Sequence, residues 1–393
     1  MNSRIIYLFI LDIYMQEQVF IQLFDGPNSK TLQQFIISAR VKLGNDHIIS
    51  LKEYAQDHDI PKTDIQLLYD HIRNRIEYLH RFYKKSLEPV EPITIVEPPM
   101  PLSNINNDKV PQYKNRIRNM HCLDILQKTK SGFFKNPTFF DVLFDLYKKE
   151  LIDYKLLTPS ARHYLRDGRI GSIFSSFYFR ASIMNPLVPF SLQKRILKGE
   201  RIFTPTLGWS SYAYGFLECE EVEEYVATDV IPQVCKKTQE FCQTFYPYKR
   251  TRIFCEPSEN LLHNRSFMTN YREHFDVVFF SPPYYELEKY PGEKQSIHQY
   301  NTYEEWLDKY WRQTIELCYQ VLQRGGRLCY ILSSYGCSGS VNCREYDLIK
   351  DMNGIAKERF TYKRTIPLRN KNVRITAVSH RETGEKIVFF IKE

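Results

Sequence analysis

The sequence predicts an α/β protein, with a doubly wound sheet in its second half and a mainly helical first half. Three observations predict it. After Gly199, short apolar runs end in Gly, Pro, Ser or an acid and alternate with helical stretches, the texture of strands crossing over through helices. Before Gly199, the clearest apolar pattern recurs every three or four residues, as on one face of a helix. Finally, 43% of the 393 residues are hydrophobic and 25% charged, enough apolar side chain to fill ordinary cores.

From the N-terminus, Ile5 to Leu11 is an apolar run far shorter than the roughly 20 residues a membrane helix needs, so it reads as a buried strand or helix start. Ile65, Leu68, Ile72, Ile76, Leu79 and Phe82 predict one long amphipathic helix between Lys62 and Leu87, behind the capping pair Thr63 and Asp64. Leu51 to Ile65 has the order helix, tight turn, helix, with Asp59 in the turn. That order fits both a DNA-reading helix-turn-helix and two simply packed helices. Five prolines fall between Pro89 and Pro101, which removes backbone donors and predicts a linker or an extended strap. The expected organisation is therefore a helical region 1–88, a proline-rich linker 89–118, a helical segment 119–198 and an α/β domain 199–393.

The net charge of +8 permits a polyanionic partner without demanding one. Nine scattered cysteines, with no Cys-x-x-Cys and no Cys/His run at zinc spacing, point to a reduced intracellular chain without a metal site.

The segment that carries chemistry is Phe275-Asp-Val-Val-Phe-Phe followed by Ser281-Pro282-Pro283-Tyr284. An apolar strand ends in two prolines that lock φ and supply no N–H, which leaves carbonyl oxygens and the Ser281 hydroxyl exposed as acceptors. Tyr284 adds a flat face for stacking. Acceptors beside a stacking ring suit a planar group that bears an NH₂.

Ser-Pro-Pro-Tyr after a hydrophobic strand resembles the catalytic motif of amino-group DNA methyltransferases, which methylate cytosine N4 or adenine N6. The longer order Ser281 to Tyr290, then Gln295-Ser296, Tyr303-Glu-Glu-Trp306 and Leu322-Gln-Arg-Gly325-Gly326, resembles more narrowly the methyltransferases of phages and large viruses. The resemblance covers the second half only. It implies a Rossmann-like fold, S-adenosylmethionine as cofactor, and Ser281, Pro282, Pro283 and Tyr284 as the catalytic residues. It further implies that the loop Thr204-Pro205-Thr206-Leu207-Gly208-Trp209-Ser210-Ser211 lies against the cofactor. There Pro205, Gly208 and Trp209 match the family, Thr204 replaces an acid and serines replace two glycines. Asp229, after the second strand, is the expected ribose ligand, with a helix N-cap as its other reading, and Glu259 is the expected residue near the adenine, with Glu256 as alternative.

Glu286, Glu288, Lys289 and Tyr290 would border the target pocket, a position at which the chemistry demands no carboxylate. Trp306 and Trp311 are expected to pack a helix. Between Lys357 and Arg374 seven basic residues face one acid, so Lys363, Arg364, Arg369 and Lys371 are candidate phosphate contacts, or else solvated strand charges. The expected function is methyl transfer to an exocyclic base nitrogen, DNA favoured. An RNA or protein-amide methyltransferase and an inactive binding module of the same fold are the alternatives.

Overall fold

The computed structural model describes residues 17–26, 31–44, 47–87, 91–97, 105–106, 111–121, 130–131, 137–178, 181–285, 288–290, 294–333, 335–336, 345–369 and 385–393. Ile5 to Leu11, Glu286 and Lys371 lie outside them. The chain divides into two units, Met1–Glu88 with Ile125–Ala181, and Pro89–Asp124 with Ser182–Glu393.

The second unit is built on seven strands, β1 (Arg201–Thr204), β2 (Glu224–Thr228), β3 (Arg250–Phe254), β4 (Phe275–Phe280), β5 (Leu322–Leu332), β6 (Thr361–Arg369) and β7 (Lys386–Ile391), in the spatial order β6-β7-β5-β4-β1-β2-β3. A two-residue strand, Ile105–Asn106, extends the sheet beyond β6. Strands β1 to β5 run parallel, and β7 runs antiparallel to both β5 and β6. The strand order reverses between β4 and β1, so the crevice at their carboxyl ends is where such a sheet binds ligands.

Sequence explains the centre of this sheet. Val277, Val278, Phe279 and Phe280 are completely buried, each worth up to about 1.5–3 kcal/mol of burial. Asp276, one residue earlier, ties β4 to β1: its carboxylate accepts from the backbone N–H of Glu200 at 3.0 Å and of Arg201 at 2.8 Å, and pairs with the Arg201 guanidinium at 3.1 Å. Burial alone would raise its pKa, but these donors outweigh it and hold the carboxyl below its ordinary range. A lowered pKa contributes stability above the unfolded value that is lost as pH falls through the folded one. Asp276→Asn is therefore expected to lower stability by about 1 kcal/mol at neutral pH and by nothing in acid, read from thermal melts at both. Trp306 and Trp311 are fully buried, their indoles donating to Ser296 Oγ and the Met352 carbonyl, which agrees with the packing role expected of them.

Of the two readings of the proline-rich stretch, linker or extended strap, the structure shows the strap over residues 91–97, within this unit. Residues 91–97 lie along it as a strap: the Ile93 N–H donates to the Tyr214 hydroxyl at 2.8 Å, the Ile95 N–H to Glu218 at 3.0 Å, and Glu97 pairs with Arg195 at 2.6 Å. Helix Pro111–Met120, followed by His121, belongs to the same unit. Proline spacing explains the strap, because a chain with few free N–H groups can lie against a surface once each remaining donor finds an acceptor.

The first unit holds a three-stranded sheet, in the order His47–Ser50, Arg40–Leu43, Leu151–Asp153, among its helices. The single long helix expected over Lys62 to Leu87 is broken at Asn74 into Lys62–Arg73 and Arg75–Leu87. Arg75 is 2% exposed and donates to the carbonyls of Phe24, Gly26 and Ile72, a burial that a continuous helix does not foretell. Asp64 does not cap the first of these helices. It is buried between Arg162 and Arg166, and Pro61 stands at the N-cap. In the turn before it, Asp59 takes φ +48°, the left-handed conformation a glycine would adopt freely.

Candidate active site

One side of the crevice begins at the end of β1. Thr204 is fully buried and its hydroxyl shares a 2.8 Å hydrogen bond with Tyr225, so its polar atom belongs to the core. Then Gly208, Trp209 and Ser210 take φ values of +52°, +58° and +65° in succession. Serine and tryptophan resist this region by about 1–2 kcal/mol each, so neighbours must impose it. The Ser210 hydroxyl is held by His121 Nε2 at 2.8 Å and Thr238 at 2.6 Å, and the buried Trp209 ring lies edge-on to those of His121 and Tyr290. These contacts answer what replacing glycine by serine raises: a hydrogen-bonded clamp supplies the conformation that glycine would adopt unaided.

Gly208 is required for a second reason. A Cβ there would come within 2.2 Å of the Tyr212 ring. Gly208→Ala is expected to push the loop away and weaken cofactor binding by at least about tenfold, measurable by calorimetry.

Asp229 follows β2. One carboxylate oxygen accepts from the Leu207 N–H at 3.1 Å, the other from Val230 at 2.8 Å and Ile231 at 3.1 Å. The carboxylate does not cap the following helix, Pro232–Phe245, whose N-cap is Ile231 without a side-chain bond; it holds the β1 loop and the turn after β2, leaving lone pairs for further donors. Burial raises its pKa and the three N–H groups oppose the rise. Glu259, 7% exposed, accepts from the Tyr300 hydroxyl at 3.3 Å, and burial raises its pKa too. Glu256 is half-buried, and its carbonyl accepts the Thr228 hydroxyl.

The opposite wall is the end of β4. The Ser281 N–H donates to the Tyr212 hydroxyl at 3.1 Å, its carbonyl accepts the Thr206 hydroxyl at 3.4 Å, and its own hydroxyl donates to the Ile331 carbonyl at 3.0 Å. Because that proton is spent on Ile331, the Ser281 oxygen can serve any further partner only as an acceptor. Pro282 is buried and Pro283 half-buried. The Tyr284 hydroxyl sits among those of Ser281 and Ser333, and burial raises its pKa. Tyr212 therefore links the walls, packing beneath Gly208 and bonding Ser281.

On β6, Lys363 and Arg364 are exposed. Lys363 reaches Glu393 at 3.5 Å, and Arg364 lies over the Phe389 ring at 5.2 Å. Arg369 ends the strand, and Lys371 falls outside the described residues. Sequence reasoning missed Tyr212, Thr206, His121 and Thr238. The positions opposite Gly208 and Ser281 carry no motif, and only long-range contacts reveal them.

A parallel sheet with its switch point between β4 and β1, closed by an antiparallel β7 inserted between β5 and β6, decides the fold. This is the α/β fold of S-adenosylmethionine-dependent methyltransferases. Residues 224–356, from β2 past β5, match the family model of the Eco57I restriction-modification methylase, about a third of the chain. No curated protein matches the sequence. Among solved structures, the N-methyltransferase NodS from Bradyrhizobium japonicum, in complex with S-adenosyl-L-homocysteine, is similar at 13% identity, over 52% of this chain and 82% of that one, with a TM-score of 0.32. TrmN from Thermus thermophilus is similar at 12% identity, over 53% and 49%, with a TM-score of 0.35. An rRNA methylase from Streptococcus thermophilus is similar at 18% identity, over 54% and 99%, with a TM-score of 0.32.

The cofactor of this methyltransferase fold is S-adenosylmethionine, and the crevice residues suit it. Asp229 offers carboxylate acceptors just after β2, Glu259 carries a carboxyl in the short helix Ser258–Leu261 that follows β3, and the β1 loop turns on Gly208, where a Cβ would meet the Tyr212 ring.

Proposed function

We infer that the protein transfers a methyl group from S-adenosylmethionine to the exocyclic amino group of a nucleic-acid base, with DNA the favoured substrate. The observation that carries this reading is the Ser281 hydroxyl, whose proton is committed to the Ile331 carbonyl so that its oxygen faces a substrate as acceptor alone. Bound in the crevice, the cofactor supplies an electrophilic methyl on a sulfonium sulfur.

The protein's own groups do the rest. Ser281 Oγ and the Pro282 carbonyl each accept one N–H of the amine, which draws the nitrogen lone pair out of conjugation and aims it at the methyl. The N–CH₃ bond forms as the S–CH₃ bond breaks, and the nitrogen sheds one proton to solvent. Tyr284 stacks on the extruded base, and Tyr212 keeps the β4 end in register with the cofactor loop. Asp229 accepts from the ribose hydroxyls, and Glu259 receives the adenine amino group. Lys363, Arg364 and Arg369 on β6, with Lys371 two residues later in the sequence, supply phosphate contacts. The match to a restriction-modification methylase family supports a DNA substrate.

The test offers DNA, RNA and protein to the enzyme with cofactor carrying a tritiated methyl. Label in DNA supports the reading. Label confined to RNA or protein, or none anywhere, overturns it.

A further inference from the structure

Ser210 stands at the N-cap of the helix Ser211–Leu217, where a serine hydroxyl ordinarily accepts a backbone N–H, yet this one makes no such bond. Proton counting shows where it is committed instead. Thr238 Oγ1 donates to the Val234 carbonyl at 2.7 Å, so toward Ser210, 2.6 Å away, it can only accept. Ser210 therefore donates to Thr238 and its oxygen is left to accept, which makes the His121 Nε2–H the donor across their 2.8 Å contact. All three side chains are fully buried, out of reach of solvent. His121 is itself fixed in place. It follows helix Pro111–Met120, its backbone N–H donates to the Ile117 carbonyl at 3.1 Å, and Lys237, the neighbour of Thr238, donates to the Met120 carbonyl at 2.9 Å. The relay thus ties this helix to the turn Gly208 to Ser210, whose three successive φ values are positive.

Resting on the function inferred above, in which the β1 loop lies against S-adenosylmethionine, we propose that His121 is a positioning residue for the cofactor: its Nε2–H holds Ser210 in the left-handed conformation that the loop needs to receive the ligand. A glycine at this position would take φ +65° without help, whereas serine resists it. Without the imidazole donor, a buried hydroxyl oxygen loses its partner and the steric preference of serine draws the loop out of that conformation. Cofactor then binds only the fraction of molecules still in it, and the apparent affinity drops by that fraction. Once the cofactor is bound the loop is restored, so the methyl-transfer step is untouched. His121 precedes β1 and lies outside residues 224–356, so a determinant of cofactor affinity sits in a segment that the methylase family match does not reach.

Calorimetric titration of S-adenosylmethionine into the full chain, paired with single-turnover methyl transfer to DNA at saturating cofactor, tests it. His121→Phe keeps the ring that lies edge-on to Trp209 and removes the donor, and is expected to weaken cofactor binding about tenfold while the saturated rate stays within a few-fold of wild type. Adding Ser210→Gly should restore affinity to within a few-fold of wild type, because glycine needs no donor to hold it; a histidine that merely packed the core would gain nothing from that second change. His121→Gln, whose amide still donates, should lose less than His121→Phe. Thr238→Val breaks the relay at its other end and is expected to show the same loss and the same repair, so a misfolded His121→Phe does not end the test. Wild-type affinity in the relay variants, or a loss that Ser210→Gly leaves unrepaired, overturns the role of His121; with Gly208→Ala still weakening binding, the cofactor loop itself stands. If Gly208→Ala also binds like wild type, the loop does not touch the cofactor and that reading falls as well.

Discussion

Ser281→Ala is expected to lower methyl transfer by about 100-fold or more while cofactor affinity stays within a few-fold of wild type. The hydroxyl donates to the Ile331 carbonyl, whereas the β1 loop is reached by the Ser281 backbone through Tyr212 and Thr206. Removing Oγ therefore leaves the strand end in place and deletes one acceptor for the amine. The split separates this account from a structural one, since a serine that merely stitched β4 to β5 would lower stability and cofactor binding together. Single-turnover rates at saturating cofactor, with binding measured by calorimetry, make the comparison. Ser281→Asn restores an acceptor oxygen and is expected to recover part of the loss.

Asp229→Ala is expected to weaken cofactor binding by about 100-fold, because it removes the acceptors proposed for the ribose and releases the Leu207 N–H that the carboxylate holds. Asp229→Asn keeps one acceptor oxygen and should cost less. The raised pKa of Asp229 adds a pH signature. Its protonation begins at a higher pH than for an ordinary carboxyl, so wild-type affinity should fall as the solution is acidified through that range. The asparagine variant should show a flatter profile. Calorimetric titrations across the acidic range decide it.

Much of the sheet was legible in the sequence where a strand is short, apolar and ended by a residue that cannot continue it. Phe275 to Phe280 stops at Ser-Pro-Pro, and Glu224 to Thr228 stops at Asp229, as their patterns predict. The site was legible where one local segment carries it, as at Ser281 to Tyr284. It was not legible where two distant segments must meet. Tyr212 on Ser281 and His121 on Ser210 join residues tens of positions apart, and no local spacing encodes such meetings. The same holds for the proline-rich strap, whose composition announces extended backbone but not the tyrosine and glutamate that receive it. Asn74 shows the limit of periodicity itself: apolar spacing continues across the break, and the buried Arg75 side chain decides otherwise.

Methylation of an amino nitrogen on a DNA base is the claim to which every residue role above is subordinate. Mass spectrometry of nucleosides from DNA incubated with the protein and S-adenosylmethionine bearing a deuterated methyl tests it most directly. The account predicts label in N4-methylcytosine or N6-methyladenine. Label in 5-methylcytosine instead, or unlabelled nucleosides from a protein that binds the cofactor, would contradict it.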